Sequence, residues 1–124
     1  MSAQMGTGVI DLLDTLDAAE LNALPVGVIQ LDATGTILVY NDTEADLARR
    51  SAAEVVGRNF FTEVATCTRV QEFQGRFEEG VKRRELDVTF RYRFRFSDER
   101  AKDVKITMSY RPDTETVWML VERP

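Results

Sequence analysis

Cys67 is the single cysteine of a chain that has no histidine at all. That pairing removes most of what a cysteine usually does. No second thiol exists to close an intramolecular disulfide, and no imidazole exists to activate a Cys–His nucleophile or to complete a Cys/His zinc site. Three roles stay open: a packed thiol that behaves as a small hydrophobe, a redox-sensitive thiol, or a thiol that carries a covalently attached group. The redox role needs a depressed thiol pKa, and Arg69 is the one basic residue close beside it. With no histidine, no metal-ligand spacing and no phosphate-binding loop, the chain does not read as an enzyme.

The elements that must position this thiol come from one ordinary domain. A chain of 124 residues buries about two-thirds of the surface its unfolded form exposes, enough for a core with an internal pocket. Hydrophobic residues at 44% and charged residues at 30% describe a globular chain. A net charge of -5 argues against nucleic acid and anionic membrane as partners, and no apolar run approaches the ~20 residues of a membrane span. Residues 1–7 lack the basic and apolar regions of a secretory leader, so a cytoplasmic setting is expected.

Along the chain, Val9, Leu12, Leu13, Leu16, Leu21 and Leu24 fall at roughly helical spacing, which predicts short amphipathic helices lying on something larger. Pro25 and Gly27 end that pattern. VIQLD, a turn at Ala33–Thr36 and ILVYN predict a β-hairpin. Asn41 and Asp42 stand where a helix N-cap belongs, ahead of TEADLARR, and Ala52–Val56 form one further turn stopped by Gly57. Residues 58–72 are apolar without a sustained period, as in a loop docked on a core or a ligand. Phe73, Phe77 and Val81 make one face of a helix over 72–84, weakened by Gly75 and Gly80. Val88, Phe90, Tyr92, Phe94 and Phe96 then alternate with Thr89, Arg91, Arg93 and Arg95. After a turn at 97–103, Val104, Ile106 and Met108 alternate in the next strand, and VWMLVER is the last. The expectation is an α+β fold with a five-stranded antiparallel sheet and its helices mainly on one face.

This organisation resembles a PAS domain, and more narrowly the photoactive yellow protein family. GVIQLDATGTILVYNDTEADLARR at 27–50 is similar to that family's first hairpin and following helix, and GRNFFTEVATCT at 57–68 to its chromophore-attachment segment. EFQGRFEEGV at 72–81 resembles its connecting helix and WMLVERP at 118–124 its last strand. The resemblance implies an N-terminal helical cap over 1–25 and a PAS domain over 26–124, forming one structural unit. It implies a blue-light photoreceptor with p-coumaric acid (4-hydroxycinnamic acid) held as a thioester on Cys67. Tyr40 and Glu44 would hydrogen-bond the phenolate oxygen, and Arg50 would cover the ring end. Phe60, Phe94 and Phe96 would line the pocket. Trans-to-cis isomerisation, proton transfer from Glu44 and partial unfolding would then signal to a downstream protein of unknown identity, with the receptor a monomer or weak dimer. The alternative is a PAS sensory or interaction module that binds a non-covalent ligand or none.

The implied chemistry has physical requirements. A phenol titrates near pH ~10 and burial raises that value, so a buried phenolate needs donors aimed at its oxygen. Tyr40 donates at any ordinary pH, whereas Glu44 donates only if burial keeps it protonated. Giving up its proton would leave a buried carboxylate without a partner, at a cost of several kcal/mol. Three positions depart from the family pattern. Thr66 replaces a proline before the cysteine, Ala48 replaces a threonine that hydrogen-bonds the pocket tyrosine, and Asp98 lies near a methionine tied to fast dark recovery, so slow recovery is expected.

Overall fold

The computed structural model describes residues 10–95 and 101–123, without the side chains of 94, 95, 101 and 102. Five strands form one sheet: β1 (Gly27–Asp32), β2 (Ile37–Tyr40), β3 (Asp87–Arg95), β4 (Ala101–Arg111) and β5 (Thr116–Glu122). Their spatial order is β2-β1-β5-β4-β3, with every neighbouring pair antiparallel. The last strand therefore runs through the middle of the sheet, beside the first. The helices are α1 (Ala18–Asn22), α2 (Asp42–Ala48), α3 (Ala52–Val55) and α4 (Arg76–Arg83).

Alternation along the central strands divides the interior in two. Ile29, Leu31, Met119 and Val121 point into a main core with Phe60, Phe61, Phe73 and Phe77. Val28, Trp118 and Leu120 point the other way, onto Ile10, Leu13 and Leu21 of the N-terminal segment. β5 is consequently buried on both faces, and its near-continuous apolar run follows from that. Residues 10–13 are helical and α1 follows, capped by Asp17, whose side chain accepts from the Glu20 amide at 2.8 Å. Asp14 ties this segment to the sheet: it accepts from Trp118 Nε1 at 2.6 Å and pairs with Arg111 at 2.6 Å.

The apolar stretch before and around Cys67 is regular in a way its sequence does not advertise. It folds as a π-type turn (Phe60–Val64), a 3₁₀ turn (Thr66–Thr68) and a second π-type turn (Gln71–Gly75) that runs into α4. Widened turns of this kind carry no 3.6-residue repeat, which is why no helical period is visible there. Two further expectations shift. Residues 101–103 belong to β4 rather than to a turn, and Asp103 pairs with Arg93 across the strands at 2.9 Å. Gly80 is a close-approach residue and not simply a weak point, since a β-carbon there would lie 2.6 Å from Leu86 Cβ.

Candidate functional site

Tyr40 closes β2 and is 6% exposed, while Glu44 lies in the first turn of α2 and is 4% exposed. The corner between them is made by Asn41. Its side chain caps α2 by accepting from the Glu44 amide at 3.1 Å and also accepts from the Val28 amide at 2.9 Å. The same amide group donates to the Leu21 and Val26 carbonyls at 2.8 and 3.0 Å. All four hydrogen-bonding positions of a buried asparagine are thereby used, and α2 is locked to both β1 and the N-terminal segment.

Burial pushes the Glu44 carboxyl up to about 7, against the opposing pull of the Arg123 guanidinium. Burial likewise holds the Tyr40 phenol well above its ordinary value; the Glu44 charge adds to this, and Arg50 and Arg123 oppose it. Tyr40 therefore keeps its proton at neutral pH, whereas Glu44 stands near the midpoint of its titration there and is a full donor only below it. Among the described residues, neither the Tyr40 hydroxyl nor Glu44 Oε2 has a hydrogen-bond partner. For Tyr40 this agrees with Ala48, which offers no hydroxyl.

Glu44 Oε1 is occupied. Arg123, just beyond β5, donates to it from Nη1 at 3.3 Å, with the two side chains 16% and 6% exposed. The expectation that an ionised Glu44 would stand without a partner is overturned by this contact. Sequence reasoning missed Arg123 because it resembled an ordinary charge near a strand end. It also missed Gly27, taken only as a breaker. A β-carbon on Gly27 would lie 2.1 Å from Glu44 Oε1 and 3.2 Å from Glu44 Cβ, so only glycine leaves room for this carboxyl.

Cys67 sits half-buried in the 3₁₀ turn and packs against the main core. Its carbonyl accepts a short hydrogen bond from the Tyr92 hydroxyl, which fastens the turn to β3. An aromatic wall leads away from it: the Tyr92 ring meets Phe73 edge-on at 5.0 Å, and Phe73 meets Phe60 at 6.0 Å. Phe60 is 2% exposed, and its turn is held to the hairpin by Asn59, which donates to the Thr34 carbonyl at 2.9 Å and caps Phe61 and Thr62. Arg50 reaches from the end of α2 to the Val64 carbonyl at 3.4 Å and approaches Glu54 at 3.9 Å. It thus bridges α2 and the segment that carries Cys67. Phe94 lies in β3 but its side chain is not among the described ones, and Phe96 and Asp98 lie outside the described residues. A groove between the N-terminal segment and the outer sheet face is lined by Leu13, Leu16, Gln30 and Trp118 and reaches Tyr40, while Cys67 and Glu44 do not line it.

Comparison with known proteins places the chain in a family. The PAS fold family pattern matches residues 15–123. A photoactive yellow protein from Rhodothalassium salexigens is 43% identical over 105 residues, covering 85% of this chain and 83% of that one. The chain belongs to the photoactive yellow protein family. The photoactive yellow protein from Cereibacter sphaeroides is 36% identical over 118 residues, covering 95% of this chain and 94% of that one. The crystal structure of the photoactive yellow protein domain of the sensor histidine kinase Ppr from Rhodospirillum centenum superposes with a TM-score of 0.86 at 42% identity, covering 91% of this chain and 98% of that one. No helix among the described residues of this photoactive yellow protein family member is long and apolar enough to cross a membrane.

Proposed function

We propose that this protein is a blue-light photoreceptor that carries p-coumaric acid as a thioester on Cys67. Bound there, the group would supply visible absorption and trans-to-cis photoisomerisation. The residues present fit such a group. Tyr40 and Glu44 are two buried donors, and among the described residues the Tyr40 hydroxyl and Glu44 Oε2 have no hydrogen-bond partner, as donors to a buried phenolate require. The observation that carries the reading is Glu44, a carboxyl held near 7 by burial and therefore able both to keep a proton and to release one. Cys67 contributes the thiol from a turn anchored by Tyr92, and Phe60 contributes the apolar wall. Arg50 closes the site from the α2 side. With no histidine in the chain, the acyl group must arrive on an activated donor, whose leaving group departs as the sulfur–carbonyl bond forms and the thiol proton is lost.

A change of charge at Glu44 would bear directly on Asn41, which holds the Glu44 amide and the N-terminal segment with one side chain. That connection supports release of the N-terminal cap, residues 1–25, as the event read by a downstream signalling protein in the cytoplasm. The matching domain within a sensor histidine kinase supports an output of this type. The decisive experiment adds an activated p-coumaric thioester or anhydride to the apoprotein. A visible band and a mass gain of one acyl group are expected, both abolished in Cys67→Ala. A colourless product, or covalent binding that survives Cys67→Ala, refutes the proposal.

A further inference from the structure

The proposed mechanism uses Glu44 but leaves unassigned the partly buried cation that touches it. Arg123 emerges from the central strand at the point where β5 passes β1, with Val121 opposite Gly27. Its Nη1 holds Glu44 Oε1 at 3.3 Å, and its Nη2 is buried with no hydrogen-bond partner among the described residues. Stranding half a guanidinium in the interior is costly. It is tolerated where the cation has a second state to serve. Gly27 completes the arrangement, because its missing β-carbon is what lets the carboxyl lie between α2 and Arg123.

We propose that Arg123 is a positioning residue and standing counter-ion for Glu44: it fixes Oε1, leaves Oε2 as the oxygen that hands over the proton, and receives the carboxylate charge afterwards. On proton release the O–H bond at Oε2 breaks, the proton goes to the acceptor, and the negative charge stays on Glu44. Nη2 is then free to take up the second carboxylate oxygen, which would turn a single contact into a bidentate pair. This rests on the photoreceptor reading only for the identity of the acceptor. Of the charged groups around the corner, Arg123 alone acts directly on Glu44; Arg50 and Glu54 act on Tyr40, the other titratable group facing the site. Because the new charge has a counter-ion waiting, light should disrupt this fold less than it would a fold whose buried carboxylate is unpaired.

The test begins with apoprotein, where colour plays no part. The infrared carbonyl stretch of protonated Glu44, assigned by its loss in Glu44→Gln, is followed against pH. In Arg123→Gln the midpoint should rise by about one pH unit or more, and Arg123→Lys should restore it towards wild type. An unmoved midpoint in Arg123→Gln overturns the proposal, whether or not a coloured adduct forms. If Arg123→Gln does not fold, the Glu44→Gln/Arg123→Gln pair should recover folding, and a double variant as unfolded as the single one overturns the pairing. In chromophore-loaded protein, Arg123→Gln should show a larger light-induced loss of far-ultraviolet circular dichroism than wild type. An equal loss refutes the counter-ion role.

Discussion

Glu44→Gln in apoprotein isolates the energetic cost of the buried carboxyl. Glu44 titrates near 4.5 in an unfolded chain and about 7 in the fold. Between those values the folded protein binds more protons than the unfolded one, so stability must fall as pH rises. The contribution is fully present below about 4.5 and is lost as pH passes through about 7. At roughly 1.4 kcal/mol per pH unit, the loss across that window is about 3 kcal/mol. Glutamine keeps the shape and cannot ionise, so the variant lacks this slope. Carboxylates with the opposite tendency, such as Asp32, whose turn hydrogen bonds hold it below its ordinary value, act equally in both proteins and cancel in the comparison. The assay is urea unfolding at a series of pH values from about 4 to 8, with the m-value checked for constancy. The variant should gain on wild type by about 3 kcal/mol across that range. Parallel curves, or a wild type that gains on the variant as pH rises, would refute the assignment of a raised Glu44.

Three further outcomes follow from the geometry. Gly27→Ala should cost about 1–3 kcal/mol, because the new methyl drives the Glu44 carboxyl off its site; urea unfolding should give a smaller cost in a Glu44→Ala background, and equal costs would count against the clash. Asn41→Ala should lose on the order of 2–4 kcal/mol and speed proteolysis in the N-terminal segment, since it removes a helix cap and strands the Val28 amide. Tyr92→Phe should cost about 1 kcal/mol and accelerate alkylation of Cys67 in apoprotein, as the turn loses its tether to β3; an unchanged alkylation rate would show that the turn is held by other contacts.

Much of the fold was legible because its signals are local. The hairpin announced itself through two apolar runs about Gly35, and α2 through Asn41, which is indeed its cap. The Phe73–Phe77–Val81 stripe does face the core. The segment around Cys67 was not legible as structure, since its π-type and 3₁₀ turns are dictated by Asn59, Tyr92 and the Phe60–Phe61–Phe73 packing rather than by any repeat of its own. The packing of Ile10, Leu13 and Leu21 on the sheet was equally hidden. Only Trp118 and Leu120, alternating with Met119 and Val121 in a central strand, reveal that β5 needs cover on both faces.

What the sequence determined by itself was a lone thiol in a chain without histidine, a tyrosine and a glutamic acid four residues apart across a strand–helix corner, and a motif order matching one family. What only the tertiary structure decided was the electrostatic state of that corner. Whether Glu44 keeps its proton depends on how much water it loses and on which cation reaches it, and Arg123 arrives from 79 residues away along the chain. Desolvation and Coulomb energy are set by distance in space: strand order brought Gly27 beside the end of β5 and Arg123, and the Asn41 cap placed Glu44 between them.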